Sequence, residues 1–242
     1  AAMQGAAILA ASADLHHGAG RVFLHQLDHG QLQQLPQTPE IMLRNQVTAL
    51  AQLPSSTVVC GCGGGSSVAA LLPKVLEHSA RLLLDADALN AIAADAMLRQ
   101  RLKNRGAAGL PTVLTPHPLE AARLLNSSVP AVQADRLAAA HTLANTLDCT
   151  VLLKGSGSII ASPGEVPHIN PTGNALLATG GTGDVLAGMV AAHWASMQNN
   201  VNSNAHRAAC AGAYAHGAIA EGWPAQRPLT AQALARTLAR AC

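Results

Sequence analysis

The fifteen residues from Asn170 to Asp184 hold the densest concentration of reactive and ligand-binding types in the chain. They read Asn170-Pro-Thr-Gly-Asn-Ala-Leu-Leu-Ala-Thr-Gly-Gly-Thr-Gly-Asp184, and a helix-period apolar run follows, with Val185, Leu186, Met189 and Val190 on one face. A Gly-rich turn that opens a helix points unpaired backbone N–H groups outward, with the positive end of the helix dipole behind them. That is a ready anion site. The glycines at 180, 181 and 183 let a phosphate come close to the backbone. Asp184 stands where an N-cap belongs, and capping is one account of it. The other account is chemical. A carboxylate among phosphates repels them, and taking a proton from an attacking hydroxyl is work that would place it there. No Lys-Ser or Lys-Thr follows the glycines, so the segment is not a Walker A loop.

Four other stretches pair turn chemistry with polar side chains. Gly61-Cys-Gly-Gly-Gly-Ser-Ser leads from an apolar run into a helical one, and it reads equally as a phosphate- or ring-hugging turn and as a tight turn. Leu84-Asp85-Ala-Asp87-Ala-Leu-Asn90 holds two carboxylates. One is explained by a helix cap, and the second suggests a magnesium or phosphate–metal neighbourhood. Thr115-Pro-His117-Pro118-Leu-Glu120 presents a histidine stiffly between prolines, as a substrate contact would need, although Pro118 also suits the first position of a helix. Lys154-Gly155-Ser156-Gly157-Ser158 ends an apolar run with a point charge suited to phosphate, with glycines for close approach and hydroxyls to donate; the ordinary alternative is a lysine in a hairpin turn. Of the 11 histidines, only His117 is assigned a role. Cys60 and Cys62 have no second pair at zinc spacing and are read as core or turn cysteines.

The elements that must position these stretches follow from the apolar pattern. Short β-branched or leucine runs at Thr57–Cys60, Arg81–Asp85, Thr112–Thr115 and Thr150–Leu153 alternate with helical stretches near Ser67–His78, Ala88–Leu102, Leu119–Leu125 and Ala131–Leu147. Strands apolar on both faces and alternating with helices predict an α/β fold with a mostly parallel central sheet covered on both sides. Ser158–Ala161 is expected as a hairpin partner of the fourth run. Ahead of them, the pattern predicts a helix from Gln4 to about His17, a strand at Arg21–Leu24 and a helix at Glu40–Leu53. The last third is helical, at Val185–Met197, Ala205–Gly222 and Thr230–Ala241, with a polar connection at 199–204. In such sheets ligands bind beyond the carboxyl ends of the strands, which is where all four polar stretches fall.

Composition narrows the classes. The chain has 242 residues, 49% of them apolar but only 2% aromatic, so the core must be Ala, Leu and Val between closely spaced layers. A formal charge of +2 without a basic run, and four aromatics in all, argue against a nucleic-acid surface. Five scattered cysteines predict no disulfide framework and a reducing compartment. No signal peptide or membrane span is visible, and a cytoplasmic protein is expected. No linker or repeat interrupts the pattern, so residues 1–242 read as one domain.

Taken together and in order, these motifs resemble the ADP- or ATP-dependent NAD(P)H-hydrate dehydratases, whose ribokinase-like fold has three layers, α/β/α. Met3-Gln-Gly-Ala6-Ala7 and Gly18-Ala-Gly20 look like that family's first helix and turn, and Gly61-Cys-Gly63-Gly-Gly65 takes the place of its Gly-Pro-Gly-Leu-Gly turn. Leu84 to Asn90, Thr115-Pro-His117-Pro118, Lys154 to Ser158 and Asn170 to Asp184 complete the match. The resemblance implies repair of NADH or NADPH hydrated on the nicotinamide ring (the S epimer), with ADP as phosphoryl donor, Mg2+ as cofactor, and AMP and phosphate released. It implies that Asp184 is the base, and that the backbone of Gly181, Thr182 and Gly183 forms the anion hole. Lys154, Gly155, Ser156, Gly157, Ser158 and Gly183 would hold the nucleotide. Ala6, Gly63 and His117, with Asp184, would contact the hydrated dinucleotide. It also implies an epimerase, fused or separate, as a partner, and the Ala-rich C-terminal third offers a surface for a homo-oligomer.

Three departures stand out. The family's first strand ahead of the Met3 helix is absent, Cys62 and Gly64 replace the turn's proline and leucine, and Leu119 replaces the glycine after His-Pro. The competing expectations are a small-molecule kinase of the same fold and a non-catalytic nucleotide-binding copy.

Overall fold

In the computed structural model, residues 4–27, 35, 37–197 and 203–238 are described. In chain order the main elements are α1 (Gln4–His16), β1 (Phe23–Leu24), β2 (Met42–Leu43), α2 (Gln46–Ala51), β3 (Thr57–Cys60), α3 (Val68–His78) and β4 (Arg81–Leu84). Then come α4 (Ala86–Ala94), α5 (Ala96–Ala107), β5 (Thr112–Leu114), α6 (Pro118–Leu125), α7 (Val129–Ala134) and α8 (Arg136–Leu147). The chain continues with β6 (Thr150–Leu153), β7 (Ile159–Ala161), β8 (His168–Ile169), α9 (Thr182–Ser196), α10 (Ser203–Glu221) and α11 (Ala231–Ala235).

The main sheet runs β3-β4-β5-β6-β7-β8, parallel from β3 to β6 and antiparallel thereafter. Cys60 pairs with Leu84, Leu84 with Leu114 and Leu114 with Val151, so the strands end side by side and their exits share one edge. Successive strand side chains point to opposite faces. Leu82, Leu84, Leu114, Val151 and Leu153 accordingly pack with apolar residues of α3, α4, α5, α6 and α8, while Leu83, Val113 and Leu152 pack with α1, α9 and α10. These are three α/β/α layers. Each fully buried leucine contributes roughly 1.5–3 kcal/mol.

Small residues set the spacing in the aromatic-poor layer. A Cβ on Gly188 of α9 would lie 2.1 Å from the carbonyl oxygen of Ala10 on α1, so the two helices touch backbone to side-chain-free backbone. Gly212 of α10 makes room for Val190 in the same way, its missing Cβ lying 2.5 Å from a Val190 methyl.

The predicted helix at Glu40–Leu53 is shorter than expected. Residues 42–43 pair in parallel with β1 as a separate two-stranded sheet, and α2 starts only after Asn45, whose side chain accepts the Thr48 N–H at 2.9 Å. The stretches at Ala88–Leu102 and Ala131–Leu147 each divide in two. Asp95 and Asp135 leave helical geometry at the breaks and cap the second helix, accepting from Met97 and Ala138 respectively. β8 was not anticipated. Residues 199–202 of the polar connection lie outside the described residues.

Candidate active site

The aligned strand ends are laced together by short bonds. The Asp85 N–H donates to the Cys60 carbonyl at 3.0 Å, Thr115 N–H to Leu84 at 3.1 Å and Lys154 N–H to Pro116 at 2.8 Å. Gly61 has φ +117, and a Cβ there would lie 1.9 Å from the Asp85 carbonyl oxygen, so only glycine lets the β3 exit lie against the β4 exit. Asp85 occupies the N-cap position of α4 but makes no capping bond. Its carboxylate turns to Lys154, with Nζ to Oδ1 at 2.8 Å, and to the Cys62 thiol, 3.8 Å from Oδ2. Asp85 is 2% exposed, so this is a buried pair spanning two strand exits. Asp87 serves the glycine turn, accepting the Gly65 N–H at 2.8 Å.

Asp184 is not the N-cap of α9. That position belongs to Gly181 at φ +90, and the helix starts at Thr182, whose hydroxyl donates back to the Leu177 and Thr179 carbonyls at 2.7 and 2.8 Å. Asp184 therefore projects from the first turn. The ligating atoms of Cys62, Asp85 and Asp184 all lie within 4.8 Å of one another. Burial raises the Asp184 pKa, and the Asp85 charge adds to it, while the Cys62 hydrogen bond and Lys154 pull the other way. Burial would lower Lys154, but the Asp85 and Glu120 carboxylates outweigh it and hold the ammonium above its ordinary range. Burial first, then Asp85 and Asp184, push the Cys62 thiol well up, so it stays protonated. Lys154 also faces α9: a Cβ on Gly183 would sit 3.5 Å from Nζ. Gly183 and Asp184 lie in the first helical turn, where N–H groups lack an intrahelical acceptor, whereas the Thr182 N–H is turned to Thr179 at 3.3 Å.

His117 is held by its own helix. It caps α6, with Nδ1 accepting from the Leu119 and Glu120 N–H groups at 3.1 and 3.3 Å, while Glu120 Oε2 accepts the His117 N–H at 2.8 Å. Pro118 fills the first helical turn. With Nδ1 an acceptor, Nε2 carries the proton and faces Glu120 Oε1 at 3.3 Å. Burial raises the pKa of Glu120, against the pull of Lys154 and the His117 N–H. His117 thus joins Lys154 and Asp85 through Glu120. Ala6 is buried in one apolar cluster with Cys62 and Leu186, which places α1 behind the site, and Gly63 lies in the β3 exit turn at φ +65.

The loop Gly155–Ser158 is held from below by Arg136, whose guanidinium donates to the Ser156 carbonyl at 2.6 Å and to Leu153 at 3.3 Å. The Asn170 N–H donates to the Ser158 carbonyl at 2.8 Å, tying this loop to the start of the Asn170–Asp184 stretch. That stretch is strapped to α10: Asn170 donates to Ala213 at 3.1 Å, Thr172 to Tyr214 at 2.9 Å, Asn174 to Ala220 at 2.9 Å, and His216 Nε2 lies 2.9 Å from the Thr182 carbonyl. Sequence reasoning missed Arg136 and the place of Cys62. Arg136 acts from 20 residues away and carried no local signal. Cys62 carried one, since its turn was already singled out.

Three layers, a mostly parallel sheet and a Gly-rich helix start beside an acid–lysine pair at the strand exits define a ribokinase-like α/β protein. The crystal structure of ADP/ATP-dependent NAD(P)H-hydrate dehydratase from Bacillus subtilis, co-crystallised with ATP and Mg2+ and soaked with CoA, superposes with a TM-score of 0.70 at 26% identity, over 96% of this chain and 84% of that one. Residues 1–240 match the NAD(P)H-hydrate dehydratase family. The chain is 40% identical, over 91% of its length and 73% of the relative's, to the ADP-dependent (S)-NAD(P)H-hydrate dehydratase of Neisseria meningitidis serogroup B. It is 36% identical to the bifunctional NAD(P)H-hydrate repair enzyme of Moorella thermoacetica, matching over 93% of the chain but spanning 44% of that relative. The chain belongs to the NAD(P)H-hydrate dehydratase family.

Proposed function

We propose that this chain dehydrates the S epimer of hydrated NADH or NADPH at the expense of ADP, a repair reaction of nicotinamide nucleotides. Asp184 takes the proton of the ring hydroxyl as its oxygen attacks the terminal phosphorus of ADP, and AMP leaves. The ring C–O bond then breaks, phosphate departs with the bonding electrons, and loss of a ring proton restores the double bond of NAD(P)H. The outward N–H groups of Gly183 and Asp184, with the Gly181–Gly183 turn, receive the transferred phosphoryl group. Lys154 offsets its charge from beside Gly183, and the Gly155–Ser158 loop holds the adenosine part. Ala6, Gly63 and His117 form the dinucleotide wall. A dinucleotide accepting from His117 Nε2 has to exchange places with Glu120.

The observation that carries this reading is the division of labour among the acids. Asp85 is paired with Lys154 and Asp87 with the Gly65 N–H, while among the described residues no cation pairs with Asp184. A half-buried, unpaired carboxylate of raised pKa is suited to accept a proton. The donor set also fits Mg2+, which binds through one or two carboxylates plus substrate phosphates. Asp85 would supply such an oxygen through Oδ2, since Lys154 takes Oδ1, which leaves Asp184 free as the base; the sulfur of Cys62 is too soft to share in the ion. When bound, the ion neutralises phosphate charge. An epimerase, separate or on the same polypeptide, would supply the S epimer, and free, scattered cysteines suit a cytoplasmic enzyme.

The test is loss of hydrated NADH with ADP and Mg2+, followed by return of the reduced-nicotinamide absorbance, for the parent and Asp184→Asn. Turnover by the parent is expected. No turnover, with nucleotide still bound, would overturn the assignment.

A further inference from the structure

Away from the strand exits, β8 and α10 meet over a second cluster of ligating side chains. His206 and Cys210 stand four residues apart on α10, hence on one face, and His168 faces them from β8 at the sheet edge. The ligating atoms of the three lie within 4.8 Å of one another. His168 Nδ1 is 2.8 Å from His206 Nε2. The other nitrogen of His206 is fixed from behind: Nδ1 lies 2.8 Å from the Ser162 hydroxyl, itself 2.8 Å from that of Thr150. A hydrogen bond at the far ring nitrogen that sets the tautomer and aims the near one is the arrangement metal-binding imidazoles use. His206 is 4% exposed, Cys210 is a half-buried free thiol, and His168 is exposed, so the cluster has a rigid floor and an open side.

We propose that His168, His206 and Cys210 bind one Zn2+ ion, with water as the fourth ligand. Two imidazoles and a thiolate match the ligand preferences of zinc and exclude hard cations such as Mg2+ and Ca2+. Tetrahedral bonds of roughly 2.0–2.1 Å to nitrogen and 2.3 Å to sulfur put ligand atoms about 3.3–3.6 Å apart. The two rings therefore part by about half an ångström and the thiol closes in by up to about 1 Å. Rotation of the exposed His168 ring and of the half-buried Cys210 side chain supplies that movement. On binding, the thiol releases its proton to solvent, and each imidazole keeps its proton on the nitrogen turned away from the ion. The ion would clamp β8 to α10. Residue 170 follows β8 directly and is already bonded to Ala213 of α10 at 3.1 Å, so the clamp stands at the base of the Asn170–Asp184 stretch.

The experiment uses the full chain, freed of metal and equilibrated with Zn2+ alone, counting the ion retained; Co2+ serves as the spectroscopic probe. One equivalent is expected, with a thiolate-to-cobalt charge-transfer band and a melting temperature raised by several degrees in Zn2+. Cys210→Ser should lose the band and bind at least tenfold more weakly, and His168→Asn should also bind at least tenfold more weakly. Both side chains lie outside the buried core, so both variants should fold. Affinity and band unchanged in Cys210→Ser would overturn the proposal, as would a band that disappears instead with Cys62→Ser or another cysteine. Failure of the parent to retain zinc would leave the two histidines as a hydrogen-bonded pair and nothing more.

Discussion

Helix α9 has buried ionisable groups near both ends, and the two ends are built on different terms. At its start, every charge around Asp184 has a counterpart: Lys154 for Asp85, the Gly65 N–H for Asp87, the His117 N–H for Glu120. Toward its other end, Asp14 and His17 near the end of α1 and His193 of α9 are half-buried, each with a polar atom shut away from water. Asp14 Oδ1, His17 Nε2 and His193 Nε2 have no hydrogen-bond partner among the described residues. Burial alone pushes Asp14 up to about 7, and burial, then the neighbouring His193 and His16, push His17 down to about 4. The far end is strongly perturbed although no chemistry is assigned to it. A displaced pKa does not by itself mark a site; opposing influences arranged around one unpaired group do.

The contrast can be broken in five places. Asp184→Asn should lower kcat at least about a hundredfold, as expected for one general base, while leaving the melting temperature within a few degrees. His193→Gln should leave kcat within about twofold, the range of a group without a part in catalysis.

Lys154→Met leaves the Asp85 carboxylate buried and alone, which should cost about 3–5 kcal/mol in guanidinium unfolding. Adding Asp85→Asn should return a good part of that loss, and no recovery would mean the pair is not what holds the strand exits.

Gly188→Ala places a methyl group against the Ala10 backbone midway between the two ends. It should cost about 1–3 kcal/mol by the same measurement.

The last effect depends on pH. Asp14 has a folded pKa of about 7 against an ordinary 3.8, so the folded chain holds a proton there that the unfolded chain has already lost. Stability from this group is full below pH 3.8 and is lost as pH rises through 7. Asp14→Asn, which carries no charge to bury, should be more stable than the parent at pH 8 by up to about 4 kcal/mol, with the gap closing toward pH 4. His17 works in the opposite sense, losing stability as pH falls from 6.5 toward 4, so the Asp14 effect is best read as a difference between variant and parent at each pH.

Much of this contrast was legible at the active end alone. Apolar runs such as Thr150–Leu153 are strands buried on both faces, and the rule that ligands gather at strand exits brought Asp85, His117 and Lys154 to one edge before any coordinates. The pairing of Asp85 with Lys154 was not legible, because 69 residues separate them and either could have faced solvent. Flanking prolines present His117 stiffly, but a glutamate three residues on is also the spacing of a capping box, and the ring serves the helix. Helix breaks at Asp95 and Asp135 were hidden inside apolar periodicity that continues through them, although an aspartate followed by a fresh helical run is itself a start signal. His168 and His206 lie 38 residues apart on a short edge strand and a long helix, and spacing alone does not bring such residues together.

The burial of α9 sets how the molecule should lose activity. From Val185 to Ala192 every residue of the helix is buried, against α1 on one flank and α10 on another. An element enclosed in this way exchanges its amide hydrogens only when the whole cooperative unit opens, unlike a lid or surface loop that opens cheaply. Because Asp184 belongs to its first turn, the proposed base travels with the slowest-exchanging part of the chain. Inactivation and global unfolding should therefore share one midpoint in denaturant, and Asp184 should stay in place until the fold itself is lost.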